Sequence, residues 1–207
     1  MTKLFVALIA SCVAASCASV RTNVAVSHSL PANQTAKTVA ILPYDGMAPA
    51  PGFAANAAKL AAQLRAKGYD VVEPSGGRAP DYIAFFTYRI DGGTPLNRGA
   101  SVAHPVTGSI ITYGYRSTYS PATDRLYKRT LTVEILDRAR FQPTVGTSFA
   151  SSRVYAGSVT SEGSCSTMEA VIDPMLMALF QDFPGDTGQL RTTDIPADAA
   201  CGLERFG

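Results

Sequence analysis

The sequence predicts an α+β domain in which an antiparallel or mixed sheet of about five to seven strands carries two helices on one face. Two segments, one early and one late, repeat apolar residues with the period of a helix, and the runs between them are β-branched, aromatic and alternating. Hydrophobic residues make up 46% and charged residues 16% of the 207 residues, so the chain can bury a sizeable core. We therefore expect one domain with the order β-α-β-β-β-β-β-α.

The first elements are predicted to be a strand, a second strand and a helix. A first strand is predicted at Asn23–Ser27, at the end of a tether over residues 18–24. Thr38–Pro43 is a β-branched apolar run closed by proline, which is typical of a buried strand. A helix is predicted over Gly52–Lys67, with Gly68 as the left-handed residue past its end. The apolar stripe of this helix consists of Phe53, Ala57, Leu60, Ala61 and Leu64.

Strands make up the middle of the chain. Tyr69–Glu73 is short, whereas Asp81–Asp91 is long and aromatic on one face. After a loop of about fifteen residues, Ser109–Tyr119 and Arg125–Asp137 are predicted to form a hairpin. Val145–Ala156, rich in small residues, is predicted as a further strand.

The last helix is predicted to begin at a capping box, in which Ser166 is followed three residues later by Glu169. Pro174 lies inside this pattern, so it either kinks the helix or marks its true start. The helix ends at Phe183–Pro184, and residues 185–207 are predicted to form an irregular tail.

The N-terminus has the pattern of a bacterial export signal. Lys3 is followed by the apolar run Leu4–Ala10, which is too short to span a bilayer of about 30 Å, and small residues precede Cys17. This resembles a lipoprotein signal, in which residues 1–16 are removed and the cysteine carries acyl chains such as palmitate. Processing at Cys12 and ordinary cleavage without lipid stay open as alternatives. Residues 17–27 then form the lipidated start, the tether and the first strand, and residues 28–184 form the domain.

The four cysteines fit an oxidising compartment. Cys12 leaves with the signal and Cys17 takes the lipid, which leaves Cys165 and Cys201 as an even pair. We expect a disulfide between them, with two unpaired thiols as the alternative. We expect no metal site, because no second Cys or His lies at ligand spacing.

Catalytic patterns are weak in this sequence. The two histidines, His28 and His104, do not sit in a recognisable nucleophile context. Asp45, Asp81 and Asp91 follow or flank strands, where turn and capping roles explain them. No phosphate-binding loop is present, and we expect neither enzymatic activity nor a cofactor.

One segment combines aromatic and basic residues and is the candidate binding surface. A face of this composition could stack on a ligand and bind anions, although an exposed sheet face of ordinary function is the alternative. The formal charge of +2 indicates no general attraction for nucleic acid. We expect an envelope protein, a glycan or a lipid headgroup as the partner. The candidate residues are Tyr113, Tyr115, Arg116, Tyr119, Arg125, Tyr127, Lys128 and Arg129.

The chain resembles the bacterial lipoproteins grouped as domain of unknown function 4136, over roughly residues 20–184. The matching segments are Val39–Pro43, Ala66–Tyr69, Ala79–Tyr82 and Leu179–Pro184, in this order and spacing. The resemblance implies an envelope lipoprotein, and no activity comes with it. Ala18 and Ser19 after the cysteine, with no Asp, resemble the signal for the outer membrane. We expect a non-enzymatic binding or assembly lipoprotein that faces the periplasm; a periplasmic hydrolase using loop carboxylates and a structural envelope-stress factor are the alternatives.

Overall fold

The computed structural model describes residues 19–31, 36–43, 52–74, 77, 79–95, 102–105, 115–118, 125–141 and 149–196. Its helices are α1 (Phe53–Ala66) and α2 (Ile172–Phe180). Its strands are β1 (Ser19–His28), β2 (Thr38–Leu42), β3 (Asp70–Val71), β4 (Tyr82–Ile90), β5 (Thr94–Pro95), β6 (Val102–Pro105), β7 (Tyr115–Thr118), β8 (Arg125–Asp137), β9 (Arg153–Gly163) and β10 (Leu190–Pro196).

Eight of these strands form one mixed sheet. Seven lie in the order β10-β1-β9-β8-β4-β2-β3, and the short β5 pairs with β8 beside this path. The pairs from β10 to β4 are antiparallel, whereas β2 runs parallel to both β4 and β3. β6 and β7 form a separate two-stranded sheet. The predicted α+β class with a mixed sheet is confirmed.

Both helices pack on one face of the sheet. Leu131, Val133 and Ile135, which alternate along β8, are fully buried there. Leu60 and Leu64 of α1 belong to the same core, together with the buried face of α2. Alternation along the strands therefore directs one apolar face toward the helices, and burial of these two facing apolar surfaces stabilises the fold. The residues of α2 in this core are Ile172, Met175, Leu176, Ala178, Leu179 and Phe180.

The opposite face of the sheet is apolar only at one end. Ile83, Phe85 and Leu136 form a small second cluster there, against Leu42 and Phe141. Toward the other end of the sheet, β8 and β9 present small hydroxyl side chains and charges on this face, since these positions alternate with the core residues.

The first strand begins earlier than predicted, and the tail is not irregular. β1 starts at Ser19 instead of residue 23, with Val20, Thr22, Val24 and Val26 buried in alternation. Residues 190–196, predicted as part of an irregular tail, form β10 and pair along β1 from Ser19↔Pro196 to Ala25↔Leu190. The domain therefore includes both the predicted tether and part of the predicted tail.

The predicted hairpin between Ser109–Tyr119 and Arg125–Asp137 is wrong. Both edges of β8 are taken, one by β4 and the other by β9, so β7 pairs with β6 instead. β5 and β6 also lie inside the stretch predicted as a loop.

The strand predicted at Val145–Ala156 is displaced along the chain. A 3-10 turn occupies Phe149–Ser151, and β9 runs from Arg153 to Gly163. The second half of β9, residues 158–163, has Val159 as its one large apolar residue, so it carries little apolar alternation for a pattern to detect.

The early helix is confirmed, and the late helix is shorter than predicted. α1 covers nearly the predicted range, and its stripe packs on the core. The capping-box prediction is wrong, because α2 starts at Ile172 after turns over residues 168–171, and no side chain caps it. Pro174 lies in the first turn, where its missing N–H is not needed, so it marks the true start of the helix.

Candidate functional site

The termini of five strands meet at one end of the sheet, which we call the basic end. β1 begins there, and β10 ends opposite it at the pair Ser19↔Pro196. β9 ends at Gly163 opposite Tyr127, near the start of β8, and β4 ends at Ile90 opposite Arg129. The exposed cations Arg21, Arg89, Arg125 and Lys128 all lie at this end, together with the acids Asp91, Glu162 and Asp194.

The candidate binding residues of β8 reach the basic end, but they do not form one surface. Arg125 donates from Nη1 to the carbonyl oxygens of Gly92 and Gly93, at 3.0 and 3.2 Å. Tyr127 lies half-buried over the same turn, so close that a Cβ at Gly93 would stand 2.7 Å from its ring. Lys128 is exposed on the opposite face, because successive side chains of a strand alternate.

The remaining candidates lie on β7, where only the backbone is described, or outside the described residues. Tyr115 and Arg116 lie on β7, where the backbone pairs with β6. Tyr113 and Tyr119 lie outside the described residues. The predicted stacking surface is therefore not assembled from the β8 residues alone.

Arg129, predicted as part of an exposed surface, is buried. Its relative exposure is 0%, and its Nη1 donates to the carbonyl oxygen of Cys165 at 3.5 Å. Its Nε and Nη2 have no hydrogen-bond partner among the described residues. Desolvation lowers the pKa of this guanidinium, and the charge of Glu162 partly opposes that effect. The prediction failed because Arg129 shares the face of Leu131 and Val133, which points toward the helices.

A shallow cleft of about 180 Å³ opens on the helix-free face at the basic end. Three neighbouring strands build it from polar residues: Arg21 and Asn23 on β1, Thr160, Ser161 and Glu162 on β9, and Lys128 on β8. Arg21 is also paired with Asp194 at 3.3 Å. Such a cleft suits polar ligands, since its walls are hydroxyl, amide and charged groups.

A larger cleft of about 520 Å³ lies between the C-terminal end of α2 and the β1–β10 edge. Arg191 spans it, ion-paired with Asp182 and donating from Nη2 to the carbonyl oxygen of Ala178 at 2.6 Å. Leu190 stands at its rim with 71% exposure. Sequence reasoning missed this cleft because it placed no strand in the tail. Its lining residues are Val24, Val26, Leu179, Asp182, Pro184, Gly185, Asp186, Gln189, Leu190 and Arg191.

The candidate acid–base residues are not brought together. Asp81 precedes β4 and Asp91 follows it, so the nine residues of the strand hold them about 30 Å apart. Asp45 lies outside the described residues, and only the backbone of His104 is described, on β6. His28 donates from Nε2 to the carbonyl oxygen of Gly185 at 2.9 Å, which ties β1 to the loop after α2.

Asp81 joins the starts of two parallel strands. Its Oδ2 accepts hydrogen bonds from the backbone N–H and the hydroxyl of Thr38, each at 2.8 Å, and Lys37 lies 3.3 Å from Oδ1. The bonds from Thr38, with help from Lys37, hold the pKa of this carboxyl below its usual value. Asp91 has a turn role, accepting from the backbone N–H groups of Gly93 and Lys128. Both aspartates therefore act as acceptors for backbone groups.

The cysteine predictions fall mostly outside the described residues. Cys17 and Cys201 lie there, while Cys165 packs partly buried against the core. Its pairing with Cys201 therefore stays a prediction. Within the described ranges, no three His, Cys, Asp or Glu side chains cluster as metal ligands would. No helix in those ranges has the length and apolar character needed to cross a membrane.

No protein-family model and no curated protein matches the chain. Among solved structures, the chain is similar to PelC dodecamers from Paraburkholderia phytofirmans. One match has 12% identity and a TM-score of 0.41, covering 81% of this chain and 99% of that one. Another has 12% identity and a TM-score of 0.40, covering 76% and 94%.

The chain is also similar to a PDZ domain protein from Parabacteroides distasonis, with 11% identity and a TM-score of 0.46. The match covers 86% of this chain but spans only 40% of that protein. At TM-scores below 0.5 these likenesses carry no information on activity, and membership of the domain of unknown function 4136 lipoproteins stays a prediction.

Proposed function

We propose that the protein is an outer-membrane-anchored periplasmic lipoprotein that acts by binding and not by catalysis. The observation that carries this proposal is the position of Cys17, which directly follows the predicted export signal of residues 1–16 and stands two residues ahead of Ser19, where β1 begins. A lipid at that cysteine would hold the folded sheet directly at the bilayer, without a flexible tether.

The short connection determines which part of the domain would face the membrane. Two Cα–Cα steps of about 3.8 Å place Ser19 within about 8 Å of Cys17. The basic end would therefore lie about one Debye length or less from the headgroups. Arg21, Arg125 and Lys128, all exposed there, suit lipid phosphates or the acidic surface of an envelope protein.

The anchor is tested by the mass of the mature protein. We expect loss of residues 1–16 and acylation of Cys17 in the wild type. Cys17→Ser should abolish both changes, whereas the matched control Cys12→Ser should leave them unchanged. An unmodified Cys17, or a leader that stays attached in a soluble product, would overturn the proposal.

Binding by the basic end is tested by site-specific photo-crosslinking in intact envelopes. A crosslinking residue in place of Lys128 reports on the basic end. The control position is Lys59 on α1, which is ion-paired with Asp173 at 2.8 Å on the helix side of the molecule. Crosslinks to one class of lipid, glycan or protein from position 128 but not from 59 support the proposal. Equal crosslinking from the two positions contradicts it.

The two alternatives predict other outcomes. A hydrolase built on Asp81 and Asp91 is not supported, because the two carboxylates lie at opposite ends of β4. A purely structural envelope-stress factor predicts no crosslink from either position. That result would favour a structural role and exclude binding through the basic end.

A further inference from the structure

Arg129 is a buried cation for which no described carboxylate serves as a partner. The side chain has 0% exposure, and its one hydrogen bond among the described residues is the long one to the carbonyl oxygen of Cys165. Moving an ionised group out of water is costly unless another charge or several hydrogen bonds compensate. A carbonyl oxygen at 3.5 Å compensates weakly.

The unpartnered part of Arg129 is one edge of its guanidinium. Nε and Nη2 have no partner among the described residues, and their N–H bonds leave the planar group side by side. This edge is the one that forms two parallel hydrogen bonds with a carboxylate or phosphate. The geometry of the free donors therefore matches an oxyanion and not a single neutral acceptor.

Ser161 supplies a further donor at the same place. It pairs directly with Arg129 across β8 and β9, so the two side chains share a face with Cβ atoms about 5 Å apart. Ser161 has 3% exposure, and its Oγ has no hydrogen-bond partner among the described residues. A buried hydroxyl and a buried guanidinium edge, on paired residues of neighbouring strands, are thus both left unsatisfied.

The neighbouring acidic residue, Glu162, does not accept a hydrogen bond from Arg129. Glu162 follows Ser161 along β9, so its side chain leaves the sheet on the opposite face, where it is exposed and lines the shallow cleft. Glu162 therefore acts on Arg129 only through its charge.

We propose that Arg129 and Ser161 form the floor of an oxyanion-binding site that accepts one carboxylate or phosphate group. The site goes beyond the proposed function, because it stands whether or not Cys17 is lipidated. Residues 164–171 precede α2 without regular helix, and Cys165 in this segment supplies the carbonyl oxygen that accepts from Arg129.

Two sources could supply this chemistry. One is a phosphate from a solute or a lipid headgroup. The other is a carboxylate of the chain itself: Asp198 and Glu204 follow Pro196, which ends β10 at the same end of the sheet.

The experiment is a titration of the mature protein with inorganic phosphate at constant pH and ionic strength, read as the melting temperature. If the site is open to solutes, the melting temperature of the wild type should rise saturably with phosphate. Arg129→Met should weaken the apparent affinity at least about tenfold, the loss expected for one charge-assisted pair. Arg129→Lys, which keeps the charge but lacks the paired edge, should also weaken it. Ser161→Ala gives a second, milder test in case Arg129→Met does not fold.

Lys67→Met is the control, since it removes a cation at the C-terminal end of α1, beside the start of β3 and at the end of the sheet away from Arg129, and should leave the response to phosphate unchanged. If a carboxylate of the chain itself occupies the site, the melting temperature of the wild type should not rise with phosphate. Asp198→Asn or Glu204→Gln should then make the melting temperature rise with phosphate, and adding Arg129→Met to that variant should remove the rise. The proposal is overturned if neither the wild type nor these two variants responds. It is equally overturned if Arg129→Met leaves the rise in melting temperature with phosphate as large as in the protein into which it was introduced.

Discussion

Gly157 on β9 lies against Leu179 of α2, and Gly157→Ala tests that packing. A Cβ at Gly157 would stand 2.5 Å from Tyr155 Oη and 2.6 Å from Leu179 Cδ1. Tyr155 and Leu179 have 0% and 1% exposure, and the Tyr155 ring is blocked by Phe183 at a centroid distance of 4.9 Å. Neither neighbour can move aside without disturbing the core.

The expected cost follows from these contacts. Overpacking a tight core costs about 1–3 kcal/mol. Alanine also lowers the conformational entropy of the unfolded chain, which stabilises the folded state by about 0.4–1 kcal/mol. Taking the middle of each range, we expect Gly157→Ala to lower the free energy of unfolding by about 1.3 kcal/mol, which for a chain of this size lowers the melting temperature by about 3–5 °C.

Urea unfolding followed by far-UV circular dichroism measures this change, since the chain has no tryptophan for fluorescence. Gly92→Ala is the control, because a Cβ there meets no atom within 4 Å and Gly92 has an ordinary φ. Leu179→Ala removes the Cδ1 atom that the new Cβ would meet. The loss of unfolding free energy in the double variant should therefore be smaller, by at least about 0.5 kcal/mol, than the sum of the losses in the two single variants. A Gly157→Ala protein as stable as the wild type would refute the close packing of Gly157 against Tyr155 and Leu179.

Three further predictions concern single groups. Asp81→Asn should lower stability by less than about 1 kcal/mol, because the carboxylate that accepts from Thr38 is 39% exposed. Because these hydrogen bonds lower the pKa of Asp81, the extra stability of the wild type over Asp81→Asn is present above about pH 3.9 and is lost as the pH falls further. The free energies of unfolding of the two proteins, measured as a function of pH, should therefore converge in acid. Tyr155→Phe removes a buried hydroxyl that has no hydrogen-bond partner among the described residues. The free energy of unfolding should therefore stay equal or rise by up to about 1 kcal/mol. A clear fall in the free energy of unfolding, measured with urea, would contradict this. Mass spectrometry of a non-reduced digest should recover Cys165 linked to Cys201, and reduction should cost about 3–4 kcal/mol for a loop of about 35 residues; two alkylated thiols would contradict the bond.

Elements with a strong local pattern were predictable. The stripe of α1 repeats over four turns, and Leu131, Val133 and Ile135 alternate along β8, so the face each element buries is readable from the residues themselves. β10 lacks such a pattern, because it is an edge strand in which Ile195 alone is buried. Its place in the sheet depends on backbone pairing with β1, about 170 residues away in the chain.

The candidate site was predictable in composition but not in arrangement. The concentration of Tyr, Arg and Lys before residue 130 is visible in the sequence, and four of its members do lie on β8 at the basic end. Their distribution over two faces follows from strand alternation, and the packing of the helices on the face of Arg129, Leu131 and Val133 decides which of the two faces is buried. The burial of Arg129 was missed because an arginine in a polar run is usually exposed.

The sequence by itself determined the α+β class, the span of α1 and the alternation of the central strands, since these depend on the spacing of apolar side chains along a few turns of chain. Only the tertiary structure decided that β1 and β10 close one edge of the sheet, that Asp81 and Asp91 stand apart, and that the guanidinium of Arg129 is enclosed beside Ser161. These features depend on contacts between residues distant along the chain, and no local periodicity records such contacts.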